Sequence, residues 1–133
     1  MSPKIRPTAV LDASAILAYL KRETGYEQVR NALEAGAAMS TVNLSEVYGR
    51  VVATGQALPP VAARLLALGL SPEPFTEGDA RTSADLYPQT QPLGLSLGDR
   101  ACLALGMRLV LPVLTADRAW TTQVLPVEVR LVR

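Results

Sequence analysis

The chain has 133 residues, 49% of them hydrophobic and 5% aromatic, with a formal net charge of +1 at pH 7 and a mean hydropathy of +0.20. That is the size of one domain with a sizeable core of Ala, Leu and Val, which excludes a disordered chain; the near-neutral charge leaves no chain-wide footprint for nucleic acid. Histidine is absent and Cys102 is the only cysteine, so disulfide frameworks, Cys/His zinc sites, Ser-His-Asp triads and paired-histidine ribonuclease chemistry are all excluded.

The N-terminal stretch "MSPKIRPTAV" is interrupted by Pro3 and Pro7 and has no long apolar run, so it does not read as a signal peptide. No apolar stretch approaches membrane-spanning length, and the chain is expected in the cytoplasm. Residues 8–11 form a short apolar run predicted as a buried strand, after which Asp12 stands where another apolar residue is expected. Ser14 is placed to N-cap a helix through "AILAYLKRE" that Gly25 ends. "YEQVRNALEAG" carries Val29 and Leu33 at i, i+4, a second helix, and "AAMS" is a short strand candidate. "VNLSEVYGRVVATG" sets Leu44, Val47, Tyr48 and Val51 on one helical face. "LPPVAARLLALG" opens with prolines suited to a helix's first turn and closes on Gly69.

Further on, "PEPF" is a weak strand, "TEGDARTSADLY" a helix broken before Pro88, and "PQTQPLG" a loop. "LSLGDRACLALGMRL" reads as a helix capped by Ser96. "PVLTADRAW" opens as a strand, turns at Thr115-Ala116-Asp117 and continues as a short helix. The terminal "VEVRLVR" alternates apolar residues with Glu128 and Arg130, as an edge strand does. Short strands alternating with helices imply an α/β domain, residues 1–133, with a mainly parallel sheet of about five strands. Such sheets bind ligands beyond the strands' carboxyl ends, where Asp12 and Asp117 stand.

Taken singly, the acids have structural explanations. Asp12 suits a turn cap, Asn43-x-x-Glu46 and Ser96-x-x-Asp99 resemble capping boxes, Glu46 has Arg50 at i, i+4, and Asp117 suits a cap for the segment after it. The joint pattern says more. Asp12 and Asp117 end strands, Glu46 and Asp99 fall in first helical turns, and a right-handed parallel fold brings all four towards one edge. Glu23, Glu27, Glu34 and Asp85 stand instead among polar residues and read as solvated charge. Converging carboxylates repel one another and raise each other's pKa values. A hard divalent cation relieves that repulsion, and Mg²⁺ or Mn²⁺ suits oxygen ligands better than zinc does. Such a site activates water and stabilises phosphoryl oxygens in an in-line displacement.

"VLDASAILAYLKRE", "VNLSEV", "LSLGDRACLALG" and "VLTADRAW" together resemble the motifs of the PIN-domain superfamily, and more narrowly its VapC toxins, in order and spacing from residue 8 almost to the end. The resemblance implies a three-layer α/β/α domain whose acidic pocket binds Mg²⁺ and cleaves RNA phosphodiesters with a metal-activated water. It implies a growth-inhibiting toxin of a type II toxin–antitoxin module that dimerises and is silenced by a VapB-like antitoxin. Position by position, the four acids are Asp12, Glu46, Asp99 and Asp117, with Asp12 and Asp99 the usual direct metal ligands. Ser14 and Thr115 match small hydroxyl positions beside the first and fourth acids. A fifth acid found in some members has no counterpart in Trp120-Thr121-Thr122-Gln123. The segment "ATGQALPPVAARL" falls where the resemblance places antitoxin and dimer surfaces, internal packing being the plainer reading.

Arg100 and Arg118 each follow a site acid; pairing with a neighbouring carboxylate or solvation is expected ahead of RNA phosphate contact. Trp120 and Cys102 read as packing residues, and Tyr19 and Tyr48 as core or interface. Two rival readings stand beside the nuclease. A receiver-like phosphoacceptor domain wants adjacent acids after the first strand and a late lysine, whereas no lysine follows Lys21. A non-catalytic PIN-fold binding scaffold has no use for four retained acids.

Overall fold

The computed structural model describes residues 6–133; the N-terminal reading rests partly on residues 1–5, which lie outside the described residues. Five strands, β1 (Ala9–Leu11), β2 (Ala37–Ser40), β3 (Leu70–Glu73), β4 (Val113–Thr115) and β5 (Val129–Leu131), form one parallel sheet in the order β3-β2-β1-β4-β5. The helices are α1 (Ala13–Leu20), α2 (Tyr26–Ala35), α3 (Thr41–Ala53), α4 (Leu58–Leu68), α5 (Glu77–Asp85), α6 (Tyr87–Thr90) and α7 (Leu97–Leu109).

The two-residue period of a strand sorts the core into two halves. Ala9, Leu11, Ala37, Met39 and Leu114 face Ile16, Val29, Leu33, Val47 and Leu65 of α1 to α4. Val10, Ala38 and Val113 face the other way, onto Cys102, Leu103 and Leu105 of α7, with Leu86, Leu95 and Trp120 completing that half. Helices on both faces make the three-layer α/β/α architecture expected above. Because β1 is covered on both sides, all three of its residues are buried, which is why it reads as a continuous apolar run. Ile16, Leu33, Leu103 and Leu105 are fully enclosed, each contributing on the order of 1.5–3 kcal/mol. Trp120 and Cys102 are also fully buried, as packing residues should be, and Tyr19 and Tyr48 pack against the first half of the core.

Several local expectations are corrected. The N-cap of α1 is Asp12, not Ser14: the backbone turns at Asp12 and its side chain accepts from the Ala15 amide. Helix α3 is capped by Ser40, so Asn43 and Glu46 are not a capping box, and Glu46 lies in the second turn. The third strand begins at Leu70, directly after Gly69, two residues before "PEPF". Pro72 is tolerated there because β3 is an edge strand paired only with β2. The expected loop after residue 87 instead contains α6, with Pro88 in its first turn where a missing amide is harmless, and a 3-10 turn at Gln91–Leu93. Helix α7, its Ser96 cap and the edge position of β5 agree with the sequence reading.

The strand order also separates this fold from receiver-like domains, whose flavodoxin-like order is 2-1-3-4-5. No helix among the described residues is long and apolar enough to cross a membrane.

Candidate active site

The chain leaves β1 towards β2 and leaves β4 towards β5, so the two central neighbours diverge at their carboxyl ends. An open α/β sheet has its crevice at that switch point. Asp12 follows β1 directly, Thr115 ends β4, and Asp117 comes two residues later.

Asp12 is 2% exposed and its carboxylate is enclosed by donors. One oxygen accepts from the Ala15 amide at 2.8 Å. The Ser14 hydroxyl lies 2.8 Å from that oxygen and 2.9 Å from the other, which also accepts from the Thr115 hydroxyl. Ser14 Oγ in turn accepts from the Ala116 amide at 2.9 Å, and Thr115 Oγ1 from the Asp117 amide at 3.1 Å. These two hydroxyls therefore lock the turn after β1 to the turn after β4. Asp117 is exposed and accepts from the Ala119 amide at 2.9 Å, capping a 3-10 turn at Arg118–Thr121.

The other two acids arrive on helices. Asp99 is the third residue of α7 and closes a capping box: its carboxylate accepts from the Ser96 amide at 2.8 Å while Ser96 Oγ accepts from the Asp99 amide at 3.2 Å. Glu46 projects from α3, exposed, and Oε1 accepts from Asn43 Nδ2 at 3.1 Å.

Electrostatics tie the four together. Burial raises the Asp12 carboxyl to about 6, and the Asp99 charge adds to the rise against the opposing hydrogen bonds from Thr115, Ala15 and Ser14. Asp99 is also raised, first by burial and then by Asp117, with Ser96 and Arg100 opposing. Burial pushes the Cys102 thiol up, and the charges of Asp12, Asp99 and Glu46 add to the rise. None of the four acids takes part in an ion pair among the described residues. The expected Glu46–Arg50 pair is not formed. Arg100 does not pair with a carboxylate either; its guanidinium lies 5.1 Å from the centroid of the Tyr87 ring. Arg118 is exposed and lines, with Ser14, Ala116, Asp117 and Arg133, a cleft of about 510 Å³.

Among the described residues, no three His, Cys, Asp or Glu side chains already stand as a cluster that could hold a metal ion. The chemistry of the donor set nevertheless fits a hard divalent cation: every donor is oxygen, the negative charge has no ion-pair partner, and the Asp12 carboxyl is raised as an uncompensated acid should be. Glu46 and Asp117 are exposed, the one held by Asn43 and the other by the Ala119 amide.

The sequence reading missed Gly98 and Asp79, and gave Asn43 only a capping role. Asn43 is 1% exposed and bridges Glu46 to the Gly98 carbonyl, at 3.1 and 2.9 Å. Gly98 lies against Glu46 so closely that a Cβ there would sit 2.4 Å from Oε1. Asp79 is a further buried acid, but it belongs to the Thr76 capping box and an ion pair with Arg108 at 3.0 Å, away from the four. The Thr76-x-x-Asp79 spacing was a signal for that cap, and Asn43-x-x-Glu46 for the Asn43–Glu46 contact; nothing in the sequence signals the approach of Gly98.

A parallel α/β/α fold with a switch point between β1 and β4 is the architecture the motifs implied. The PIN domain family model matches residues 9–122, and the chain belongs to that family. Solved structures of similar fold include a toxin–antitoxin complex from Klebsiella pneumoniae (TM-score 0.75, 18% identity, covering 94% of this chain and 98% of that one). Another is VapC20 of Mycobacterium tuberculosis, a Sarcin-Ricin loop cleaving toxin (TM-score 0.68, 15% identity, 90% and 98% covered). A third is DNA-bound VapBC from Salmonella typhimurium (TM-score 0.67, 14% identity, 96% and 100% covered). A comparison with curated proteins gives no match.

Proposed function

We propose that this chain, a single PIN domain, is a Mg²⁺-dependent endoribonuclease acting as the VapC-like toxin of a type II toxin–antitoxin module. One observation carries the reading: Asp12, almost fully buried at the sheet's switch point, is pinned by Ser14, Ala15 and Thr115 while its carboxyl is raised to about 6 with no ion-pair partner among the described residues. A structural cap has no need of that arrangement. A cation site does.

The four acids would hold Mg²⁺ or Mn²⁺, Asp12 and Asp99 as direct ligands and Glu46 and Asp117 completing the site. The bound ion supplies Lewis acidity towards a phosphodiester and its attacking water. The chain's own groups do the rest. Ser14 and Thr115 hold the Asp12 carboxylate in one orientation. One exposed rim acid, Glu46 or Asp117, would accept the single proton that the attacking water gives up. Attack at phosphorus breaks the bond to the 3′-oxygen, which takes a proton from solvent, and leaves 5′-phosphate and 3′-hydroxyl ends. RNA as substrate and a VapB-like antitoxin as partner are supported by the family and by structural neighbours that are toxin–antitoxin complexes or, for VapC20, cleave the Sarcin-Ricin loop. The protein acts in the cytoplasm, as a homodimer.

The test is incubation with total cellular RNA in Mg²⁺ and in EDTA, with cleavage ends mapped by ligation that requires a 5′-phosphate. Cleavage is expected only with metal, and Asp99→Asn is expected to abolish it. Cleavage that persists in EDTA or in Asp99→Asn would sink the proposed site. A protein that binds no Mg²⁺ or Mn²⁺ and leaves RNA intact is a PIN-fold scaffold instead.

A further inference from the structure

We propose that Asn43 is a positioning residue that sets the Glu46 carboxylate against the start of α7, with Gly98 as the surface it is pressed onto; this rests on the reading of Glu46 as a site acid.

The geometry leaves the Asn43 amide a single orientation. Its Nδ2 donates to Glu46 Oε1 at 3.1 Å and to the Gly98 carbonyl at 2.9 Å. Flipped, its Oδ1 would face two oxygens, neither of which can donate. In the orientation that satisfies both, Oδ1 is buried with no hydrogen-bond partner among the described residues. A buried carbonyl without a partner is unfavourable, and a side chain needed only to join two helices has simpler solutions. The arrangement makes sense if the two donations matter more than the carbonyl.

They act on helices that the chain joins only distantly, Asn43 and Gly98 being separated by 55 residues. Asn43 and Glu46 stand three apart on α3, so one face of that helix carries both the acid and the group that orients it. Gly98 is the residue before Asp99, so the same amide fixes Glu46 relative to a second acid of the site. At Gly98 a Cβ would lie 2.4 Å from Oε1 and 2.9 Å from the carboxylate carbon of Glu46. A side chain there has to push the carboxylate away by about 1 Å, a displacement of the size that costs an active site about 100-fold.

Two variants attack the same contact from opposite sides. Asn43→Ala removes the donor and loosens α3 from α7. Gly98→Ala leaves Asn43 intact, displaces Glu46, and replaces a poor helix former with the best one, so the fold should not weaken. Mn²⁺ affinity by calorimetry and unfolding by denaturant without metal are measured for both, alone and combined with Glu46→Ala. Both single variants are expected to bind Mn²⁺ about 10–100-fold more weakly than the parent. Neither should lower affinity further once Glu46 is Ala, although Asn43→Ala should still reduce stability. If both singles bind like the parent, or if their losses are undiminished beside Glu46→Ala, the proposal is overturned. A parent protein that binds no Mn²⁺ overturns the metal-site reading. The tie is then decided by the Asn43 side-chain amide resonances of the metal-free protein: movement on Glu46→Ala supports it, and no movement overturns it.

Discussion

Asp12→Asn separates the stability role of this residue from its proposed catalytic one. The folded metal-free protein raises the Asp12 carboxyl from an ordinary 3.8 to about 6. In the folded state Asp12 therefore holds its proton over a range where the unfolded chain has released it. Stability linked to this group is fully present below pH 3.8 and is lost as pH rises through about 6. A rise of about two pH units corresponds to about 3 kcal/mol. Asn keeps the carbonyl that accepts from Ala15 and cannot ionise, so the variant escapes the loss. Above pH 7, in EDTA, Asp12→Asn should be relatively more stable than it is at pH 4, by up to about 3 kcal/mol. The assay is urea unfolding of both proteins from pH 4 to 8, followed by the buried Trp120, with the difference plotted against pH. Titrating groups that do not interact with Asp12 are common to both and cancel, and the smaller coupling to Asp99 acts in the same direction as burial. A flat difference, or one in which the parent gains on the variant as pH rises, would mean that the hydrogen bonds outweigh burial and that Asp12 is an ordinary cap. Adding Mg²⁺ should restore the parent alone, since a ligand that binds only the folded state stabilises it by mass action.

Thr115→Val keeps shape but removes the hydroxyl that donates to Asp12 and accepts from the Asp117 amide, and is expected to lower RNA cleavage about 10–100-fold in a steady-state assay. Arg108→Ala strands Asp79, which is 3% exposed; with Arg108 itself partly in solvent the cost should be about 1–3 kcal/mol at pH 7 by denaturant unfolding. Burial pushes Asp79 up, but Arg108 and Thr76 hold it below its ordinary 3.8, so the pair's contribution is present above that pH and should fade in acid melts below it. Val110 is 85% exposed at φ 55, a left-handed position ill suited to a branched side chain, so Val110→Asn should raise stability by about 0.5–1 kcal/mol with cleavage unchanged.

Periodicity and punctuation made most of the fold legible. The runs at residues 9–11 and 113–114 are apolar because both faces of the sheet are covered, and the Ser96 cap was visible because a capping box is a local pattern. Local reading failed where the partner was distant. "PEPF" read only as a weak strand because nothing local shows that β3 is an edge, where Pro72 is tolerated. Ser14 looked like a cap until its hydroxyl was seen facing Asp12 and accepting from Ala116, more than a hundred residues away. Residue types and spacing named all four acids, since a carboxylate after a buried strand is anomalous in one dimension. Whether they meet, which is buried, and what holds each one are matters of three-dimensional placement. The sheet order brings β1 beside β4, burial then raises Asp12, and the packing of α3 on α7 lays Glu46 against a glycine that no spacing rule marks. By itself the sequence determined the elements and the candidate acids, because those depend on near neighbours in the chain. Only the tertiary structure decided how those acids are buried, oriented and coupled, because proximity across the chain and exclusion of water set those properties.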